Sequence, residues 1–233
     1  MVKRFYKEAS VTAVEGGWQV MLDDRGVKTV NGAAQLVPRE GLAEALAHEW
    51  AAQGEELDPK TLPMRDMADY AIDLVAADPD DLTERLTAYG DTDTLLYRAD
   101  PEDALFAKQE EVWEPIVTAF EAREGVILKR ISGIIHHEQD PKALETLRVR
   151  IERLNAFEMA GLEAMTMLSA SLTIGLCALT PNLDAVQLWR AASLEEEWQA
   201  DLWGRDEEAE ERRAKREADF LRACEFTRLS RPQ

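Results

Sequence analysis

The stretch VTAVEGGWQVMLDDRGVKTVNGAAQLVP, residues 11–38, decides the fold of the first part of the chain. Trp18, Val20 and Leu22 occupy every second position, which places them on one face of a strand, and Val27 and Val30 are expected on partner strands. The β-rich runs are separated by short turn signals of the kind that tight hairpins require, namely Gly16-Gly17, Asp24-Arg25-Gly26 and Asn31-Gly32. We predict a small antiparallel sheet over residues 1–40.

The spacing of apolar residues changes to that of helices after Pro38. In REGLAEALAHEWAAQGEE, residues 39–56, Leu42, Leu46 and Trp50 lie on one helical face. Later segments repeat this spacing, and none is clearly a strand; residues 140–179 are expected to form one or two long helices that begin at Asp140. The predicted fold class is α+β, with a β-rich domain at residues 1–40 and a helical domain at residues 41–233.

The composition excludes several classes of function. A net charge of -19 repels nucleic acid, and no basic patch offsets it. The longest uncharged run, residues 164–180, is shorter than the roughly 20 residues that cross a bilayer, so membrane insertion is not expected. Cys177 and Cys224 are expected to be free, buried and small apolar side chains. The N-terminus lacks the apolar run of a secretory signal.

Two groups of residues raise the alternative of a metal-dependent enzyme. Asp91 and Asp93 in GDTDTLLYRAD could chelate a divalent cation, but an aspartate at this place is also a typical helix cap. His136, His137 and Glu138 are adjacent, so their side chains point apart. No nucleotide-binding or nucleophile motif is present in the sequence. We therefore assign no catalytic residue, metal or cofactor, and favour capping or contact with a partner for the two aspartates.

The segment SLEEEWQADLWG, residues 193–204, combines acidic and aromatic side chains. On a continuous helix that runs from Leu188 to a break predicted at Gly204, Glu195 and Gln199 fall near the centre of the apolar face, with Glu196 at its margin. Leu202 and Trp203 lie on the two sides of that face, whereas Glu197 and Asp201 point away from it and are expected to be solvated. Residues 205–219, after the break, are expected to form an exposed helix with internal ion pairs. Burial of an unpaired carboxylate costs several kcal/mol. Glu195 should therefore meet an internal arginine (Arg65, Arg98 or Arg190) or a group on a second protein, and both alternatives stay open.

Six segments together resemble one family over nearly the whole chain and in the same order. They are KRFYK, GGWQVMLDDRGVKT, EWAAQGEELDPKTLPM, YGDTDTLLYRA, QEEVWEPI and LEEEWQADLWGRDEEA. The family comprises the assembly chaperones for the catalytic head of F-type ATP synthase that bind the free α subunit. The resemblance implies a chaperone rather than an enzyme, with no nucleotide and no small-molecule substrate. It implies a cytoplasmic location in bacteria and the mitochondrial matrix for eukaryotic relatives.

The resemblance also implies site residues. We expect the α subunit to be bound by the acidic helix and by two earlier motifs, through Glu196, Gln199, Trp203, Glu195, Asp93, Arg98, Trp50 and Gln53. Other positions that match the family are Trp18, Lys28, Glu49, Pro63, Tyr97, Gln109, Trp113 and Gly204. The rival hypotheses are a helical adaptor for another basic protein and an acidic metal enzyme built on Asp91, Asp93 and Glu196.

Overall fold

The computed structural model describes residues 2–133 and 135–232, and the chain divides into two compact units. The first unit comprises Met1–Pro79, Leu154–Gly161 and Glu225–Gln233, and the second comprises Asp80–Arg153 and Leu162–Cys224. The boundary predicted after residue 40 lies inside the first unit, where the helix that follows it packs on the sheet. The division into domains at residues 1–40 and 41–233 stays a prediction.

The first unit contains the predicted antiparallel sheet. Strands β2 (Ala9–Val14) and β3 (Gly17–Leu22) form a hairpin in which Val11 pairs with Val20. Strand β3 also pairs with β4 (Arg25–Gly26) and β5 (Leu36–Val37). At the first turn Gly17 has a φ of 152°, and a Cβ there would lie 2.5 Å from the carbonyl oxygen of Val37. The turn therefore requires glycine. This sheet, together with the helices that follow it, confirms the predicted α+β fold class.

The expectation for Val30 is wrong, because it lies in an exposed loop instead of a partner strand. Hydrogen bonds join this loop to Asp73 in the helical segment Ala71–Val75. The hydroxyl of Thr29 donates to Asp73 at 2.7 Å, and the backbone N–H of Asn31 donates to the same carboxylate at 3.0 Å. These bonds replace the ladder that a strand would form.

Helix α1 (Glu40–Ala51) covers the sheet, as its apolar spacing predicts. Its Leu42, Leu46 and Trp50 are buried in a core that includes Val20, Val37 and other apolar side chains of the first unit. The hydroxyl of Tyr6 donates to the carbonyl of Trp50 at 2.6 Å. The core is therefore closed by both packing and a buried hydrogen bond.

The remaining helices follow along the chain. They are α2 (Pro63–Tyr70), which continues as a π-helical turn (Ala71–Val75), α3 (Pro79–Asp91), α4 (Ala104–Glu124), α5 (Pro141–Glu152), α6 (Ala156–Ser169), α7 (Leu172–Ala178), α8 (Ala185–Ala192), α9 (Leu194–Trp203) and α10 (Glu207–Ser230). None of the helices in the described part of the chain combines the length and the apolarity that crossing a bilayer requires.

Residues 140–179 form three helices where the sequence predicted one or two. Asp140 caps α5 as predicted, accepting from the N–H of Lys142 at 2.9 Å. Asn155 accepts from the N–H of Phe157 at 2.9 Å, and Ser171 accepts from that of Ile174 at 3.0 Å. These two side chains start α6 and α7, because each satisfies an N–H that has no partner within the helix.

Four strands of two residues each were not predicted from the sequence. Strand β1 (Val2–Lys3) pairs antiparallel with β6 (Glu56–Leu57) in the first unit. Strand β7 (Tyr97–Arg98) pairs parallel with β8 (Ile131–Ser132) in the second. Two residues are too few to show an alternating pattern, so only the tertiary pairing identifies them.

Candidate partner-binding surface

Residues 194–219 form a helical hairpin, made of α9 and the first half of α10, that contains no buried residue. Helix α9 ends at Gly204, whose φ of 97° suits glycine and turns the chain. Asp206 then accepts from the N–H of Ala209 at 2.9 Å and starts α10. The break predicted at Gly204 is confirmed. A helix pair without buried residues receives little stabilisation from an apolar core.

Ion pairs join the two helices of the hairpin. Arg213 lies 2.6 Å from Glu197 and 3.0 Å from Glu210, and Arg216 lies 2.6 Å from Glu196. Arg205 at the turn contacts Glu197, Asp201 and Glu210 at 2.7–3.1 Å. Each exposed pair contributes about 0–1 kcal/mol, but the network fixes the helices side by side. Glu197 and Asp201 were expected to be simply solvated, and they have these arginine partners instead.

A groove of about 450 Å³ runs between α9 and α10. Its α9 wall carries three of the predicted binding residues, Glu196, Gln199 and Trp203. Their spacing of three and then four residues places them on one helical stripe. The α10 wall carries Ala209, Glu210, Arg212, Arg213 and Arg216. The structure thus brings three predicted residues together on one surface.

The end of α9 exposes two large apolar side chains. Trp203 is 85% exposed, and Leu202 beside it is also exposed. Both were predicted to lie on the apolar face of one helix that runs from Leu188 onward. The helix is interrupted at Ser193, which has a ψ of 11° between α8 and α9. Residues after the interruption are rotated about the helix axis, so residues 202 and 203 no longer continue the apolar face of α8. The indole therefore projects into solvent.

Glu195 differs from its neighbours because it points into the second unit. Its carboxylate accepts from the Nε2 of Gln109 at 2.7 Å, and Gln109 is fully buried on α4. The donor is this glutamine rather than one of the arginines that the sequence predicted. Burial raises the pKa of the Glu195 carboxyl above its ordinary value of 4.5, and the bond from Gln109 opposes that rise only in part.

The raised pKa predicts how Glu195 affects stability with pH. The folded state holds the proton more tightly than the unfolded chain, so the contribution of this group to stability falls as pH rises through 4.5 toward the folded pKa. Glu195→Gln keeps an acceptor for Gln109 and removes the half-buried charge. We expect it to raise the melting temperature by roughly 2–4 °C at pH 7, with no gain below pH 4.5, as thermal circular dichroism would show.

A matched variant separates the charge from the hydrogen bond. Glu195→Ala also removes the charge, but it leaves the buried Nε2 of Gln109 without its acceptor. It should be less stable than Glu195→Gln by about 1–3 kcal/mol at both pH values. Equal melting temperatures for the two variants at pH 7 would show that the hydrogen bond between these side chains does not stabilise the fold.

Asp93 and Arg98 are buried in the second unit. Asp93 accepts from the N–H groups of Thr173 at 2.7 Å and Leu95 at 3.0 Å, so it caps α7 and a short 3-10 turn. Arg98 donates to the carbonyl of Gln109 at 3.0 Å and lies against the ring of Trp113. Both side chains stabilise the interior and present no surface to a partner.

Trp50 and Gln53 are buried in the first unit. Gln53 donates from Nε2 to the hydroxyl of Thr61 at 2.8 Å and accepts from the N–H of Asp58 at 2.9 Å. It thereby fixes the connection after α1. Like Asp93 and Arg98, these two residues lie inside the fold, and we do not retain them in the proposed contact surface.

The carboxylates of the rival metal site have separate partners. Asp91 contacts His136 at 3.2 Å and accepts from the N–H of Gln139 at 2.7 Å. Asp93 caps helices, and Glu196 is paired with Arg216. Within residues 2–133 and 135–232, no group of three potential ligands is close enough to hold a metal ion.

The part that α10 plays in this surface was not predicted from the sequence. Residues 205–219 were predicted as an exposed helix with internal pairs, and the pair of Glu208 with Arg212, at 2.6 Å, confirms that in part. Arg213 and Arg216 instead reach across to α9. Their partners lie 16 and 20 residues away, outside the range of helical spacing rules.

Comparison with known proteins gives consistent matches. The profile of the family described as ATP12 chaperone protein matches residues 3–121. Over 224 residues the chain is 29% identical to "Protein atp12, mitochondrial" of Schizosaccharomyces pombe, covering 90% of this chain and 76% of that one. The crystal structure of Atp12 from Paracoccus denitrificans is 36% identical, with 99% of each chain covered and a TM-score of 0.92. The structure of a point mutant of that protein has the same identity and TM-score, covering 99% of this chain and 98% of the other.

Proposed function

The chain belongs to the ATP12 chaperone family, and from that premise we propose that it binds the free α subunit of F-type ATP synthase. It holds this client and prevents its aggregation until the α and β subunits assemble. The choice of client rests on the six sequence segments that resemble the chaperones of the α subunit. In this proposal the protein acts in the bacterial cytoplasm, by binding alone, without a cofactor or a catalytic group.

The observation that carries the proposal is the exposure of Trp203 at the tip of α9. Tryptophan is enriched among the residues that dominate binding energy in protein interfaces. Burying an indole removes about 200 Å² from water, a gain of about 5 kcal/mol before the costs of association. The adjacent Leu202 extends the apolar area, and Glu196 and Gln199 in the groove supply polar contacts.

The physical requirements of a holding chaperone agree with this surface. A free α subunit exposes apolar and charged surface that later meets the β subunit, and such surface promotes aggregation. A small aromatic contact rimmed by charges covers that surface reversibly, since exposed charge pairs add specificity more than affinity. The net charge of -19 further favours a client with a basic contact region.

Co-expression with the α subunit tests the proposal. We expect a tagged form of this chain to increase the fraction of α that stays in solution after centrifugation and to co-purify with it. Expression with the β subunit alone is the control, and no β should be retained. Retention of β but not of α would contradict the proposal. Failure to retain either subunit, with capture of another basic protein, would favour the adaptor.

Replacing Trp203 tests the contact surface directly. Trp203→Ala should weaken α binding about 30-fold or more, because interface tryptophans typically contribute about 2 kcal/mol or more. The melting temperature should not change, since the side chain is exposed. Binding can be measured by titrating purified chaperone against freshly released α subunit.

The matched control is Ile127→Ala, because Ile127 is 83% exposed in the second unit and lies outside the groove. This variant removes a comparable exposed apolar side chain and should bind α as the wild type does. If both variants bind equally well, the tip of α9 is not the contact surface.

A further inference from the structure

The carboxylate of Glu196, which lines the proposed contact groove, already has an internal cation. The Nη1 of Arg216 lies 2.6 Å from its Oε1. Arg213 also approaches Glu196, at 3.8 Å. A client that brings a basic side chain to Glu196 must therefore compete with groups of the chaperone itself.

We propose that Arg216 pairs with Glu196 only in the free chaperone. On binding, an arginine or lysine side chain of the client displaces Arg216 from the Glu196 carboxylate. This inference rests on the proposed function and identifies the chemistry of the client group and the event that opens the site. In the free chaperone the pair neutralises Glu196. In the complex the carboxylate exchanges one cation for another.

The contacts of Arg216 make such an exchange feasible. Both side chains of the pair are more than 40% exposed, so the pair is screened by water and is weak. Arg216 has two further contacts that do not involve Glu196. Its Nη2 donates to the carbonyl of Leu168 at 2.9 Å, and its guanidinium lies 5.4 Å from the centre of the Trp189 ring. Release of Glu196 therefore leaves the arginine anchored.

Arg213 is unsuited to the same role. Its side chain is only 11% exposed and is held by Glu197 and Glu210. Because these pairs persist when Arg216 moves, the two helices stay together and the groove keeps its shape. The network thus contains one fixed arginine and one that can be exchanged.

The net charge of the chain, rather than the groove, indicates that the client group is a cation. The acidic members of its lining are Glu196, Asp206 and Glu210, and the basic members are Arg212, Arg213 and Arg216. Opposite charges balance, so the groove itself selects neither sign. A client anion would need Arg213 or Arg216 to leave a carboxylate of this strongly acidic chain, which has a net charge of -19. A client cation meets a favourable overall field.

Affinity measurements with three variants test the exchange. Arg216→Gln removes the internal competitor and should bind the α subunit about two- to fivefold more tightly than the wild type. This gain corresponds to the free energy that one exposed ion pair contributes. In Glu196→Gln combined with Arg216→Gln the gain should vanish, because the carboxylate is absent. Arg222→Gln is the matched control: Arg222 pairs with Asp219 at 2.7 Å on the same helix and lies outside the groove, so its removal should leave the affinity unchanged.

The outcomes separate this inference from the proposed function. If the wild type does not bind α, the proposed function fails and the exchange fails with it. If the wild type binds α and folded Arg216→Gln binds no more tightly, the exchange alone is overturned. Should Arg216→Gln unfold, Arg216→Met keeps an unbranched stem over the Trp189 ring, and the same gain in affinity is required of it.

Discussion

Replacing Glu196 by lysine is expected to abolish capture of the α subunit and to leave the chaperone folded. The introduced ammonium would stand where the client's basic side chain meets a carboxylate. Like charges brought together in an interface cost several kcal/mol, so we expect affinity to fall at least about 100-fold. The measurement is a pull-down of α together with a binding titration on the purified variant.

The fold should survive because Glu196 is exposed and belongs to a network with other members. Its loss removes the pair with Arg216 and places a cation beside it, but Glu197 continues to hold Arg213 at 2.6 Å. Exposed pairs contribute about 0–1 kcal/mol each. We therefore expect the melting temperature to stay within roughly 3 °C of the wild type.

The matched control for this charge reversal is Glu211→Lys. Glu211 is exposed on α10 and does not line the groove, so the net charge changes equally while the contact surface does not. This variant should capture α normally. If Glu196→Lys unfolds the protein, Glu196 is a structural member of the ion-pair network, and the binding role assigned to it is wrong.

Trp50→Arg should have the largest effect on folding. Trp50 is 7% exposed, lies edge-on to Tyr6 with 5.9 Å between ring centres, and belongs to the core of the first unit. Removing a core tryptophan costs about 3–5 kcal/mol, and burying an unpaired cation costs several more. Arg65 already lies 5.9 Å from the ring, so the introduced guanidinium would meet a like charge.

The sum of these costs is comparable to the whole stability of a typical domain, about 5–15 kcal/mol. We expect Trp50→Arg to yield insoluble protein, or a melting temperature lower by at least about 15 °C in thermal circular dichroism. Trp50→Phe, which keeps an apolar ring, should lose far less.

The sharpest control makes the same chemical change at the surface. Trp203→Arg replaces an indole that is exposed, so its effect on stability should be within about 0.5 kcal/mol. It should nevertheless abolish α binding, since it removes the anchor. A stable, cooperatively folding Trp50→Arg protein would show that the ring is dispensable to the core of the first unit.

Much of the fold was predictable from local patterns. Alternation of apolar residues and glycine-rich turns predicted the β2–β3 hairpin, and the spacing of Leu42, Leu46 and Trp50 predicted the buried face of α1. Asp140 and Gly204 marked helix ends correctly. These features depend on interactions within a few residues, which is the range that sequence patterns report.

The candidate surface was predictable only in part. The family resemblance selected residues in the α9 motif and in two earlier motifs without distinguishing surface from interior. Gln53 and Asp93 proved to be buried hydrogen-bonding groups that fix chain connections, as did Arg98. Among the predicted residues, Glu196, Gln199 and Trp203 are exposed and share one groove.

The sequence by itself determined the α+β class, the family and the acidic, aromatic character of α9. Only the tertiary structure decided that Trp203 is exposed, that Glu195 accepts from Gln109, 86 residues away, and that Arg216 pairs with Glu196. The physical reason is one of range. Turns, caps and helical faces arise from neighbouring residues, whereas burial and charge pairing depend on which distant segments the folded chain brings together.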